Sequence, residues 1–175
     1  MTRALTKFPD LKWIGFDIDG VMTDGGIIIN DQGSESKRFN SRDGHGVKML
    51  IRSGLRVAIV TGRRSDVVEL RAREIGITEV HQKVQDKLVL YKEILASSDL
   101  RPEETAFAGD DIVDLPVLVR CGLAMCPADA VPEVLDVAHF VSRSAGGHGA
   151  AREMVEYILK GLGFWPDIMA GYLEK

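Results

Sequence analysis

The sequence predicts an α/β fold in which helices cover both faces of a parallel sheet. Short apolar runs such as "WIGF", "VAIV" and "TAFA" alternate with longer amphipathic stretches. Runs without polar alternation are typical of strands that are buried on both faces. Strands that alternate with helices along a chain indicate a parallel sheet. A length of 175 residues fits one domain spanning residues 1–175.

The first half of the chain contributes two strands, a hairpin and two helices. "WIGF" is predicted as the first strand. The segment from about 25 to 40 is predicted as a projecting β-hairpin, in which "GIIIN" and "ESKRFN" flank the turn "DQGS". "GHGVKMLIRSG" is predicted as a helix that ends at Gly54, followed by the strand "RVAIVTG". The next helix, "SDVVELRAREIG", should begin after Ser65 and end at Gly76.

The second half repeats the alternation. "TEVHQ" is a short strand, and "KLVLYKEILASS" is a helix with its apolar side chains on one face. "TAFAG" is a strand, "VDLPVLVRCG" a helix, "LAMC" and "AHFVS" short strands, and "AAREMVEYILKGLG" a closing helix. The C-terminal tail, about 163–175, fits no pattern. The connections leave no room for a separate cap domain.

Composition excludes several classes of protein. The hydrophobic content of 45% and charged content of 27% are ordinary for a globular chain. A formal net charge of −4 argues against nucleic acid as a partner. Two cysteines make no disulfide framework, and no apolar run reaches the roughly 20 residues that span a bilayer. We therefore expect a soluble, cytoplasmic protein with no nucleic-acid or membrane partner.

Charged and polar residues follow three of the predicted strands. Ligands bind at the carboxyl ends of the strands in open parallel sheets, so these residues should converge. They are Asp17 and Asp19 after the first strand, Thr61, Gly62 and Arg63 after "VAIV", Asp110, Asp111 and Asp114 after "AFA", and Lys87 at the start of a helix.

These residue types suit metal-assisted phosphoryl transfer. Asp17 and Asp19 lie two apart, so extended backbone points both to one side, where Asp110 can join them. Clustered carboxylates favour a bound Mg²⁺. A carboxylate can attack phosphorus, while Thr61 and Lys87 hold the phosphoryl oxygens.

Four segments resemble the motifs of the haloacid dehalogenase phosphohydrolase superfamily. They are "DIDGVMTDGG", "VTGR", Lys87 and "GDDIVDLP", in that order. "IIINDQGSESKRFNSRDGHGVKML" and "SAGGHGAARE" resemble the capless branch, in particular 3-deoxy-D-manno-octulosonate 8-phosphate (KDO 8-phosphate) phosphatases. The likeness covers roughly residues 10–160. It implies a Rossmann-like sheet without a cap domain and Mg²⁺-dependent hydrolysis of KDO 8-phosphate in lipopolysaccharide precursor synthesis.

The resemblance also implies a role for each matching residue. Asp17 is the nucleophile and a metal ligand, Asp19 is the acid/base and offers its backbone carbonyl to the metal, and Asp110 is the third ligand. Thr61 and Lys87 hold phosphate. Supporting acids are Asp111 and Asp114, the latter orienting Lys87. Substrate contacts are expected from Arg42, Asp43, Gly44, Gly62 and Arg63, and Lys83, His45 and His148 are open candidates.

Alternatives remain open at this point. A related nine-carbon 2-keto-3-deoxy sugar-acid phosphate is a second substrate. A receiver domain of two-component signalling also combines acids, Mg²⁺, Thr and Lys on a parallel sheet. In a receiver the acid pair follows the first strand and the phosphorylated Asp follows the third, whereas in this chain one residue separates the acid pair and the other acidic cluster follows a late strand. A non-catalytic binding protein is the third possibility, although every expected catalytic side chain is present.

The predicted hairpin indicates self-association. A two-stranded hairpin is marginal alone, and its unpaired edges and the three isoleucines Ile27, Ile28 and Ile29 need cover. The family likeness implies a homotetramer in which a neighbouring subunit narrows the open site.

Overall fold

The computed structural model describes residues 9–174, so the two ends of the predicted domain lie outside the described residues. Six strands form one parallel sheet in the order β5-β4-β1-β6-β7-β8. They are β1 (Trp13–Phe16), β4 (Arg56–Val60), β5 (Glu79–His81), β6 (Thr105–Ala108), β7 (Leu123–Cys126) and β8 (Phe140–Val141). The remaining two strands, β2 (Ile28–Ile29) and β3 (Glu35–Ser36), pair antiparallel as the predicted hairpin.

Helices connect the strands and cover both faces of the sheet, which confirms the predicted fold class. They are α1 (Ser41–Arg52), α2 (Asp66–Ile75), α3 (Lys87–Ser98), α4 (Leu115–Leu118), α5 (Pro132–Val137), α6 (Ala150–Gly161) and α7 (Trp165–Leu173). No helix within residues 9–174 has the length and apolar content needed to cross a membrane.

The core consists of two apolar layers, one on each face of the sheet. Ile14 and Phe16 of β1 belong to the layer shared with α1, α2 and α6, whereas Trp13 belongs to the layer shared with α3, α4 and α5. Side chains alternate between faces along a strand, so a central strand supplies both layers. All four residues of β1 are buried, and its carboxyl end is thereby fixed at the centre of the sheet.

The observed helices differ from those predicted from the sequence in three places. The helix predicted over "VDLPVLVRCG" is only a short 3-10 turn followed by the four residues of α4. Helix α5 has six residues, too few for a periodic pattern to show. The tail forms α7, with Pro166 in its first turn, because Trp165 and Ile168 pack against the core beside α6.

Candidate active site

Asp17, the predicted nucleophile, lies at the carboxyl end of the central strand. The backbone amide of Asp17 donates to the carbonyl oxygen of Ala108 at 2.9 Å, so pairing between β1 and β6 continues as far as Asp17. Asp110 follows β6 directly and therefore arrives beside Asp17. The two acids lie far apart in the chain, and the parallel register of β1 and β6 brings them together.

Gly20 permits the close approach of the two acidic segments. Its φ is +93°, in the region that favours glycine, and a Cβ atom here would lie 2.0 Å from Oδ2 of Asp110. The glycine after the acid pair is therefore required by both backbone conformation and space.

Lys87 lies between two carboxylates at the floor of the site. Its Nζ is 3.0 Å from Oδ1 of Asp17 and 2.6 Å from Oδ1 of Asp114, and its side chain is 5% exposed. Asp86 caps helix α3 by accepting hydrogen bonds from two backbone amides of its first turn, which fixes Lys87 as the first helical residue. Burial alone would lower the pKa of Lys87, but Asp17 and Asp114 together raise it, so the group stays cationic.

Asp114 is occupied on both oxygens. Oδ1 accepts from Lys87, and Oδ2 accepts from the backbone amides of Asp110 and Asp111 at 3.1 and 3.3 Å. The side chain is fully buried. This geometry fits the predicted task of orienting Lys87, and it also fixes the loop that carries Asp110.

The acidic cluster can hold a divalent cation. Carboxylate oxygens of Asp17, Asp110 and Asp114 lie within 4.8 Å of one another. Among the described residues, Oδ1 of Asp110 is buried without a hydrogen-bond partner, and Oδ1 of Asp17 is buried with the Lys87 ammonium 3.0 Å away as its ion-pair partner. Buried carboxylate oxygens with free lone pairs are the ligands that Mg²⁺ prefers, so the residues present fit this cation.

Without a cation, burial and mutual repulsion raise the pKa values of these two acids. Burial raises the pKa of Asp17 to about 6, with Lys87 opposing and Asp114 adding to the shift. Burial, followed by the charge of Asp17, raises the pKa of Asp110 to about 7. A bound cation would favour the ionised forms, because positive charge close to a carboxylate stabilises its anion.

These residues line one open cleft of about 480 Å³ at the carboxyl edge of the sheet. Thr61 is buried at its wall after β4. The lining includes every predicted catalytic and metal residue, together with Gly62, Arg63 and Asp111, whereas the supporting acid Asp114 is not part of it. The side chain of Asp19 lies at the rim, where Lys37 and Arg63 contact its carboxylate. Its carboxylate thus points to cations of the rim, which leaves its predicted metal contact to the backbone carbonyl.

Arg42, Asp43 and Gly44 are not among the described residues that line the cleft. Arg42 is exposed on α1. Asp43 is 1% exposed, and its Oδ1 accepts a hydrogen bond from the backbone amide of Arg152 at 2.8 Å. Asp43 therefore caps α6 from a neighbouring helix, and substrate binding by these three residues stays a prediction.

Glu35 and Lys37 of the hairpin are contacts that the sequence prediction missed. Lys37 pairs with Asp19, and Glu35 pairs with Lys37 and Arg63. The hairpin therefore contributes side chains to the rim of the cleft, although the chain has no separate cap domain. The signal was available, since opposite charges at i and i+2 of a strand share one face.

The glycine-rich loop before α6 supports the loop that follows Asp19. A Cβ atom on Gly146 would lie 1.8 Å from the carbonyl oxygen of Gly20, and the amide of Gly147 donates to Val21 at 3.1 Å. His148 on this loop and His45 on α1 are not among the described cleft residues.

Several known proteins are similar to this chain in sequence and in fold. A model of the haloacid dehalogenase-like hydrolase family matches residues 65–154. The KDO 8-phosphate phosphatase KdsC of Yersinia pestis is 50% identical over 89% of this chain and 83% of its own. The crystal structure of a probable YrbI family phosphatase from Pseudomonas syringae superposes with a TM-score of 0.93 at 45% identity, covering 95% of each chain.

A further structure carries ligands. The KDO 8-phosphate phosphatase of Moraxella catarrhalis, described in complex with a magnesium ion, a phosphate ion and KDO, superposes with a TM-score of 0.91. It is 33% identical and covers 94% of each chain. Sequence, fold and the geometry of the cleft agree, and the chain belongs to the haloacid dehalogenase-like hydrolases, in the branch that contains the KDO 8-phosphate phosphatases.

Proposed function

We propose that this protein hydrolyses the phosphate monoester of a sugar acid through an aspartyl-phosphate on Asp17, with KDO 8-phosphate as the preferred substrate. The convergence of Asp17, Lys87 and Asp110 at one strand edge carries the proposal, because it places a nucleophile, a phosphate-binding cation and a metal ligand together. The names of the Yersinia and Moraxella relatives support the choice of substrate.

The residues divide the reaction into two displacements. An oxygen of Asp17 attacks phosphorus, the bond to the sugar oxygen breaks, and Asp19 gives its proton to the leaving alcohol. Asp19 then takes a proton from water, whose oxygen attacks phosphorus and releases Asp17 and phosphate. Lys87 and Thr61 hold the phosphoryl oxygens throughout. Asp17, Asp110 and the backbone carbonyl of Asp19 would hold Mg²⁺, which would supply positive charge to those oxygens.

The exposed guanidinium of Arg63 at the rim supports an acidic substrate. Arg63 lines the cleft with its side chain 43% exposed, and the backbone amide of Lys83 donates to the carbonyl of Arg63. A guanidinium beside an open cleft can bind a carboxylate in bidentate fashion. A KDO molecule offers such a carboxylate, whereas a neutral hexose phosphate does not.

Substitution of the nucleophile tests the chemistry. Asp17→Asn should abolish turnover of 4-nitrophenyl phosphate, because an amide is not a competent nucleophile, and chelation of Mg²⁺ should do the same reversibly. Asp24→Asn is the matched control, since it removes an exposed carboxylate from the same loop. Near-normal turnover by Asp17→Asn would refute the proposed mechanism.

A substrate panel tests the specificity. We expect kcat/KM to be highest for KDO 8-phosphate, lower for nine-carbon 2-keto-3-deoxy sugar-acid phosphates, and lowest for neutral hexose phosphates. Arg63→Met should reduce the preference for acidic substrates without reducing turnover of 4-nitrophenyl phosphate to the same extent. A preference for a neutral hexose phosphate would overturn the proposed substrate class.

We further propose that the enzyme is a homotetramer whose subunits cover the hairpins of their neighbours. Ile27, Ile28 and Ile29 are 53%, 57% and 57% exposed, and each hairpin strand has only two residues. Consecutive exposed isoleucines on a marginal hairpin favour a symmetric interface. A neighbouring subunit at this position would narrow the open cleft.

Light scattering tests the assembly. Ile28→Asp should dissociate the tetramer and raise KM for KDO 8-phosphate, while some turnover of 4-nitrophenyl phosphate remains. Leu70→Asp is the matched control, because Leu70 is 63% exposed on α2 and is not part of the hairpin. A wild-type protein that is monomeric and fully active at assay concentration would refute the proposed assembly.

The cytoplasmic location stays a prediction.

A further inference from the structure

Four side chains of alternating charge form a closed ring at the rim of the cleft. Lys37 donates to Oδ1 of Asp19, and its Nζ lies 3.3 Å from Oε1 of Glu35. The same Glu35 oxygen accepts from Nη2 of Arg63 at 3.1 Å, and Nε of Arg63 lies 3.6 Å from Oδ2 of Asp19. Each charge therefore has two neighbours of opposite sign.

Lys37 is the buried member of this ring. Its side chain is 1% exposed, compared with 43% for Arg63. An ammonium group is costly to remove from water unless charged partners surround it, and such a pair is less screened than one at the surface. The contact between Lys37 and Asp19 is accordingly the better defined of the two contacts that Asp19 makes.

Asp19 needs such a partner to keep one orientation. Its backbone lies beyond the last ladder pair of β1, and its carboxylate is 19% exposed. Among the described residues, Lys37 and Arg63 are its ion-pair partners. A displacement of about 1 Å in a reacting group can reduce a rate about 100-fold, so the orientation of this carboxylate matters.

The hairpin that carries Lys37 is otherwise weakly fixed. Its ladder contains two residue pairs, Ile28 with Ser36 and Ile29 with Glu35. A hairpin of this size does not hold its position by backbone pairing alone. The ring therefore links the base of the hairpin to the catalytic edge of the sheet.

We propose that Lys37 is a positioning residue whose ammonium group holds the Asp19 carboxylate in the orientation required for proton transfer. This inference rests on the proposed function, in which Asp19 protonates the leaving alcohol and later deprotonates water. It assigns a catalytic purpose to a hairpin side chain that does not itself contact phosphorus.

Leaving groups of different acidity separate this role from substrate binding. Nitrophenolate leaves without a proton, whereas the alkoxide of glycerol phosphate requires one. In Lys37→Met, kcat/KM for glycerol phosphate should fall about 100-fold, a loss within the range of general acid catalysis. The kcat/KM for 4-nitrophenyl phosphate should decrease by less than about tenfold. This ratio reports only the first displacement, in which nitrophenolate leaves without a proton.

The second displacement gives an independent readout. If Lys37→Met slows the second displacement, kcat and KM for 4-nitrophenyl phosphate should fall together. Rapid mixing should then show a burst of one nitrophenolate released per active site. The burst counts folded, competent sites, so it also excludes misfolding. Arg38→Met is the matched control, since the adjacent Arg38 pairs with Asp24 on the exposed side of the hairpin and should leave both rates unchanged.

A double-mutant cycle shows whether Lys37 acts through Asp19. In an Asp19→Asn background, Lys37→Met should cause no further loss of kcat for 4-nitrophenyl phosphate. A further loss in that background, an equal loss with both substrates, or the absence of a burst would each overturn the proposed role of Lys37. A wild-type enzyme that hydrolyses neither phosphate with Mg²⁺ would instead overturn the proposed function and, with it, this inference.

Discussion

Asp43→Ala should destabilise the protein through the N-terminus of α6. The backbone amide of Arg152, in the first turn of α6, donates to Oδ1 of Asp43 at 2.8 Å, and the N-cap residue, Gly149, has no side chain to do this. Asp43 therefore replaces the missing cap from α1, which packs against α6.

The size of the loss follows from the hydrogen bond and its burial. An N-cap is worth about 1 kcal/mol, and a buried amide left without an acceptor costs about 1–3 kcal/mol. We expect Asp43→Ala to lose about 2 kcal/mol of stability, or about 4–8 °C in Tm for a chain of this size. Asp43→Asn should lose less than about 1 kcal/mol, since its carbonyl oxygen can still accept.

Thermal unfolding at one fixed protein concentration measures both variants. Asp66→Ala is the control, because Asp66 occupies the first turn of α2 with its side chain 89% exposed, so its Tm should stay near that of wild type. Equal Tm values for Asp43→Ala and wild type would refute the capping role. A rise in KM for KDO 8-phosphate in Asp43→Asn, at unchanged Tm, would instead support the substrate-binding role predicted from the sequence.

Three further outcomes are expected. Because Asp17 and Asp110 have raised pKa values of about 6 and about 7, the metal-free protein should lose stability as pH rises from about 4 towards 7. Mg²⁺ should therefore raise Tm more at pH 8 than at pH 5.5. An equal rise in Tm at the two pH values would count against a cation between these acids. Gly146→Ala should lower kcat and Tm, because its Cβ would clash with a backbone carbonyl, whereas Gly171→Ala, in helix α7 with open space around it, should leave kcat unchanged and should not lower Tm. Asp114→Asn should lower kcat at least tenfold, since both of its oxygens face donors and an amide nitrogen cannot accept; wild-type kcat would refute this role.

The sequence by itself determined the layered fold and which polar residues meet at one edge of the sheet. Apolar runs fix which segments are buried strands, and the carboxyl ends of parallel strands meet at one edge whatever the details of packing. Asp17, Thr61 and Asp110 could therefore be placed together from strand ends alone. Lys87 could be placed beside them because it opens the helix that precedes the strand leading to Asp110.

Only the tertiary structure decided which polar side chains pair across elements. No local pattern indicates that Asp43 caps α6, and the packing of α1 on α6 is what buries it against that helix terminus. The sequence places Lys37 on the same face as Glu35, but only the fold brings it to Asp19. Local patterns report which face of an element is apolar, whereas the partner of a charged group depends on distances between elements that are remote in sequence, and those distances exist only once the chain has packed.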